Sequence, residues 1–157
     1  MDIVRENFDK LYPFPPHQMQ INTIKSFMRG CDSILCAPTG YGKSVIYQIA
    51  PSVLPSCSNK ALVISPLLSL ISDSVDKTNA LSTDFKAVSL SDKNVNSVED
   101  LLSATHIFTT PESIFESHWK DSLLLKKSVG DGGDAAVPDI FSMIGVIVVD
   151  ECHVISS

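Results

Sequence analysis

The run Ala37-Pro38-Thr39-Gly40-Tyr41-Gly42-Lys43-Ser44 places two glycines, a lysine and a hydroxyl side by side. That combination suits a phosphate. Glycines let the backbone turn tightly, so that its N–H groups converge on phosphate oxygens at the start of a helix. The lysine can reach the β- and γ-phosphates, and the serine hydroxyl can ligate Mg²⁺. The general pattern is G-x-x-x-x-G-K-[ST]. Here Ala37 stands at the first glycine position, and is small enough for close approach. Thr39, Gly40, Tyr41, Gly42, Lys43 and Ser44 are the candidate nucleotide-binding residues, with Tyr41 expected to point away from the phosphates. The plain alternative is a chance G-x-G-K-S in a structural turn. Against it stands the context: "DSILCA" reads as a strand running into the loop, and "KSVIYQIA" as a helix leaving it, stopped by Pro51.

A second constellation closes the chain. In "VIVVDECH" a β-branched run ends in Asp150 and Glu151, which predicts a buried strand with Asp150 at its carboxyl end. Ligands of open α/β sheets bind at that end. Asp150 can hold Mg²⁺ and Glu151 can orient an attacking water. One acidic pair alone would more often be a solvated turn. Beside a phosphate loop it points to an ATP site with hydrolytic chemistry.

The elements that must position these residues alternate. "ALVIS", "FKAVSL", "THIFTT" and "IGVIVVD" read as strands. "PLLSLISDSVDKTN" reads as a helix with Leu67, Leu70, Ile71 and Val75 at helical spacing, "NSVEDLLS" as a short helix capped by Asn96 or Ser97, and "PESIFESHW" as a helix opened by Pro111. Strands that are apolar on both faces and alternate with helices predict an α/β fold: a doubly wound parallel sheet with helices on both faces. Residues 1–30 form an amino-terminal segment, in which "FPPHQMQINTIKSFMRG" predicts a Pro-rich turn and a helix ending near Gly30. Residues 31–157 form the sheet domain, interrupted by a surface loop at 126–139, where Gly, Asp and Ala replace any apolar period.

Composition narrows the class. The chain has 157 residues, 44% of them hydrophobic and 19% charged, which fits one ordered domain. No apolar run approaches the roughly 20 residues of a membrane span, and the start "MDIVRENFDK" lacks a signal-peptide pattern, so a soluble, intracellular protein is expected. Four cysteines without C-x-x-C spacing read as reduced thiols, and the adjacent Cys152 and His153 suit a shared zinc poorly. A net charge of −6 argues against a module that simply coats nucleic acid, while leaving room for local contacts through backbone amides.

"APTGYGKS" together with "DECH" resembles a superfamily 2 helicase of the DExH type, in which A-x-x-G-x-G-K-[ST] is the usual first motif. "FPPHQ", "GKSVIYQIAP", "VISPLLSLISDSV", "TTPES" and "DECHVIS" are similar, in the same order, to elements of the RecQ-like DNA helicases. The resemblance implies the first RecA-like domain of an ATP-dependent 3′-to-5′ DNA helicase acting in repair, recombination or replication, in the nucleus. It implies ATP and Mg²⁺ as cofactors, DNA as partner and no membrane association. It assigns adenine reading to Gln18, the phosphates to Lys43, Mg²⁺ to Ser44 and Asp150, and the general base to Glu151. His153 would couple the nucleotide to later motifs, and Ser65 and Thr110 would contact one DNA strand. Pro15 departs from the family's arginine, Tyr41 from a frequent glycine, and Cys152 from an alanine.

Family members continue into a second RecA-like domain carrying an arginine finger, worth about 10³–10⁵ in turnover. A piece of a longer protein is therefore expected, which alone binds ATP weakly, hydrolyses it poorly and separates no strands, with a sheet strand left unpaired. Three other readings compete: a non-catalytic nucleotide- or nucleic-acid-binding remnant, an RNA helicase of the same superfamily, and a small-molecule P-loop kinase. The last predicts lid arginines after the core, whereas Arg5 and Arg29 both precede the loop.

Overall fold

The computed structural model describes residues 2–91, 97–115 and 140–151. Four helices come first: α1 (Ile3–Leu11), α2 (Gln18–Met28), α3 (Lys43–Gln48) and α4 (Ala50–Val53). Then follow β1 (Lys60–Ile64), α5 (Leu68–Leu81), β2 (Ala87–Ser89), α6 (Val98–Ser103), β3 (His106–Thr109), α7 (Pro111–Ile114) and β4 (Ile144–Val149). All strand pairs are parallel, in the order β2-β3-β1-β4.

Alternation along each strand divides the core between two faces. Leu62, Val88 and Ile107 pack with Leu101 of α6 and Ile114 of α7. Their neighbours Val63, Ala87 and Phe108 pack on the opposite side with Tyr47 of α3 and Ile71 of α5. Helices therefore cover both faces, as the doubly wound reading expects. No helix among the described residues is long and apolar enough to cross a membrane.

The amino-terminal segment holds a helix that the sequence reading passed over. Asp2 caps α1, accepting from the Val4 amide at 3.2 Å, and also meets Lys25 of α2 at 2.7 Å. The hydrogen bond from Lys25 is the main reason the Asp2 carboxyl is held below its ordinary range. Val4 and Phe8 are fully buried with Ile21 and Ile24 of α2 and Val45, Ile46 and Ile49 around α3. Burying an aliphatic or aromatic side chain of this size stabilises by about 1.5–3 kcal/mol. This cluster fixes α2 and α3 against each other.

Several expectations need correction. "DSILCA" forms no strand, and Ile34 is 94% exposed. A strand exists only through pairing, and residues 33–36 find no partner among the described residues. Pro51 does not stop the helix. It sits in the first turn of α4, where a missing N–H leaves no bond unmade, and the break falls at Ile49. α5 forms as expected, with Ile71 buried and Leu70, like the N-cap Leu67, exposed. Among the described residues β4 is not buried but lies at the edge of the sheet, with Ile147 50% and Val149 49% exposed. Ser97 does cap α6, accepting from the Asp100 amide. Asn96, the 126–139 loop and the last four residues (116–119) of the helix expected after Pro111 lie outside the described residues.

Two buried polar features brace the sheet. Lys60, at the start of β1, donates through its ammonium to the carbonyls of Leu102 (2.7 Å) and Ala104, closing the carboxyl end of α6. Burial, and then the Lys86 charge, lower its pKa. His106, fully buried at the start of β3, donates from Nε2 to the Gln48 carbonyl at 3.0 Å, while its Nδ1 lies 2.9 Å from the Thr105 hydroxyl. Because only a donor can face a carbonyl, Nε2 carries the proton. The bond ties the sheet to the last residue of α3.

Candidate nucleotide-binding site

Gly42 is the N-cap of α3 and lies in the left-handed region at φ +81, as does Gly40 at φ +82. Both conformations disfavour a side chain. A Cβ on Gly42 would also come within 2.7 Å of Gln20 Nε2. Lys43 and Ser44 open the helix, and Val45, Ile46 and Ile49 behind them are buried, so the helix start is held from within. Thr39, Gly40 and Ser44 are exposed. A Cβ at Gly40 would meet nothing within 4 Å, so the loop's outer side is open to a ligand. Lys43 makes no ion pair with the described residues. A free cation, open backbone and a helix N-terminus fit a triphosphate.

Ser65, Thr110 and Asp150 line up along the carboxyl edge of the sheet. Ile64 registers with Thr109 on one side and with Val149 on the other, so the residues that follow form one row. The Ser65 amide donates to Thr109 O at 2.9 Å and the Asp150 amide to Ile64 O at 2.9 Å. Asp150 Oδ1 accepts from the Glu151 amide at 3.0 Å. Glu151 adopts φ 53, a conformation uncommon for a residue with a side chain, right after the strand. Tyr47 on α3 connects this edge to the loop helix. Burial raises the pKa of its phenol, a hydrogen bond from Ser74 opposes the rise, and the Asp150 and Asp73 charges add to it. Asp150 is therefore within electrostatic reach of the loop helix.

Other expected positions fall differently. Ser65 and Thr110 are 4% and 5% exposed. The Thr110 hydroxyl caps α7, accepting from the Ser113 amide at 3.1 Å, while Ser65 Oγ is buried without a hydrogen-bond partner among the described residues. Tyr47 packs edge-on against Phe108, and Gln48 Oε1 accepts from the Tyr12 hydroxyl at 2.8 Å. Tyr41 is half-buried and its ring stacks on His17. His153 lies outside the described residues. A cavity of about 250 Å³ between α5 and the end of β2 is lined by Leu68, Ile71, Ser72, Val75, Asp76, Ser89 and Ser91, and none of the expected site residues borders it.

The glutamine that touches the loop is Gln20. Gln18 is exposed and pairs with Asn22 at 2.8 Å. Gln20 is buried, accepts from the His17 amide at 2.8 Å and donates to Gly42 O at 3.0 Å. The sequence offered both glutamines two residues apart. The signal for Gln20 was its neighbour Ile21, which opens the buried stripe of α2 and turns that part of the helix toward α3.

Residues 17–157 match the DEAD/DEAH box helicase family. The chain is 34% identical over 154 residues to the ATP-dependent DNA helicase Q-like 4B of Arabidopsis thaliana, covering 92% of the chain and 12% of that protein. It is 30% identical over 141 residues to the probable ATP-dependent DNA helicase RecS of Bacillus subtilis, covering 87% and 25%. It is 29% identical over 162 residues to the ATP-dependent helicase SGS1 of Saccharomyces cerevisiae, covering 94% and 10%. The chain thus spans a quarter or less of the length of these relatives.

Proposed function

Because the chain belongs to the DEAD/DEAH box helicase family, we propose that it is the nucleotide-binding part of an ATP-dependent, RecQ-like DNA helicase that unwinds 3′ to 5′ in nuclear repair, recombination or replication. The observation that carries this reading is the loop of Gly40 to Ser44, opening α3 with a lysine that makes no ion pair with the described residues and joined by Gln20 to the helix before it. Lys43 binds the β- and γ-phosphates, and the amides around Thr39, Gly40 and Gly42 take the remaining phosphate oxygens. Ser44 and Asp150 hold Mg²⁺, which when bound neutralises charge developing on the phosphates. Glu151, turned by its left-handed backbone, orients the attacking water. Gln18, exposed on the first turn of α2, reads the adenine, while the buried Gln20 holds that turn against Gly42 O. Ser65 and Thr110, in line with Asp150, contact the DNA strand through their backbone, and His153 couples the two sites.

The reading is tested by titrating the chain and its Lys43→Ala variant with MgATP, then measuring hydrolysis with and without single-stranded DNA. Weaker binding in the variant and DNA-stimulated turnover in the wild type are expected. Equal ATP affinity in both proteins would remove the site assignment. Stimulation by RNA but not by DNA would move the substrate to RNA. ATP binding without any turnover would leave a nucleotide-binding module.

A further inference from the structure

We infer that the stacked pair His17 and Tyr41 positions the phosphate loop, pressing it onto the first turn of α2 so that its amides are arranged before a nucleotide arrives; the inference rests on the nucleotide-binding reading. The two rings lie 4.8 Å apart at 30°. Tyr41 is flanked by Gly40 and Gly42, both at positive φ, and its amide donates to Pro38 O at 3.3 Å. At Gly40 no neighbour would meet a Cβ, so the glycine there serves the backbone path alone. That path carries the Tyr41 ring to His17.

The stack closes a circuit. His17 donates its amide to Gln20 Oε1, Gln20 Nε2 donates to Gly42 O, Gly42 follows Tyr41 in the chain, and the Tyr41 ring returns to His17. Two successive loop residues are thereby held by a single helix turn. That turn is itself fixed, through buried Ile21 and Ile24 and the Lys25–Asp2 pair. An unbraced loop with two glycines would have to be ordered by the ligand, at an entropic cost that lowers affinity. Direct stacking of Tyr41 on the nucleobase is the competing use of the ring. His17 already covers one ring face, and Tyr41 lies two residues from Lys43, beside the phosphate-binding amides.

The test separates the two with two ligands. The full chain is titrated with MgATP and with magnesium tripolyphosphate, which has the phosphates and no base. Tyr41→Ala is expected to weaken both ligands by the same factor, about three- to tenfold, the range of a lost aromatic pair. Tyr41→Phe restores the affinity lost in Tyr41→Ala, because the ring and not the hydroxyl stacks. His17→Ala gives a similar loss, and the double variant loses no more than either single one. Thermal melting checks that each variant is folded. Unchanged affinity of Tyr41→Ala for both ligands would overturn the inference. So would a loss confined to MgATP, or losses that multiply in the double variant. Lys43→Ala serves as the reference. If it binds both ligands like the wild type, the nucleotide reading fails and takes the inference with it. If Lys43→Ala loses both while Tyr41→Ala loses neither, only the inference falls.

Discussion

The buried imidazole of His106 makes the fold sensitive to mild acid. Burial is the main cause that lowers its pKa to about 4, against smaller opposing contributions from the backbone of Gln48 and Tyr47. In the unfolded chain the ring titrates near its ordinary value of 6.5. Between those two values the unfolded state binds more protons, so stability falls as pH falls through 6.5 toward 4 and is fully present above 6.5. The whole span is worth about 3 kcal/mol, at 1.36 kcal/mol per pKa unit. From pH 7.5 to 5.5 the loss is about 1.3 kcal/mol, and stopping at 5.5 avoids the isoelectric point near 5.0. Urea unfolding at the two pH values gives the numbers. His106→Leu removes the titration and leaves the Gln48 carbonyl without its donor, so it is less stable at pH 7.5 by about 1–3 kcal/mol. Its stability then changes by about 1.3 kcal/mol less than the wild type's between the two pH values. An equal decline in both proteins would refute the argument, because the acid sensitivity would lie elsewhere.

Three further predictions concern single contacts. Gln20→Ala and Gln18→Ala each weaken MgATP binding by about fivefold in the same titration, the effect of a lost hydrogen bond of roughly 1 kcal/mol, the first through the loop and the second through the base. Lys60→Met leaves the Leu102 and Ala104 carbonyls unmet and destabilises by about 1–3 kcal/mol in urea unfolding, without altering ATP affinity in what folds. Gly145→Ala places a Cβ 1.9 Å from the Ser58 carbonyl oxygen, so soluble yield collapses, whereas the same substitution at Gly30, where no atom lies within 4 Å, lowers stability by only about 1 kcal/mol through its positive φ.

Alternation of elements, the glycine-flanked turn that opens α3 and the acidic pair that follows β4 were legible because each is written in local pattern. The Asp2 cap with Val4, Phe8 and Leu11 at i, i+4 and i+7 was equally local and could have identified α1. What the sequence could not carry was neighbourhood. "DSILCA" has the composition of a strand, yet pairing depends on a partner that composition does not name. "IGVIVV" looks buried because hydropathy reports side chains and not position in the sheet. Gly145 is a further case. Lys60 pairs with Ile144 and Ala61 with Val146, so Gly145 is the extra residue of a bulge pressed against Ser58. The site shows the same limit: Gln18 and Gln20 are chemically identical, and only the rotation of α2 decides which reaches Gly42.

The strand order has a consequence for how the protein is made. Among the described residues, consecutive strands are paired in one of the three ladders, between β2 and β3. β1, at the centre of the sheet, waits for both neighbours: Leu62 pairs with Ile107 and then with Ile147, far along the chain. During translation the apolar stretch from Ala61 to Ile64 emerges before both of its partners and stays open on one side until Ile144 to Val149 have been synthesised. Pairings at such separations are slow to close and leave strand edges open to other chains meanwhile. The order of synthesis thus opposes the order of assembly, and a nascent chain of this topology gains most from a chaperone that shields β1 until β4 arrives.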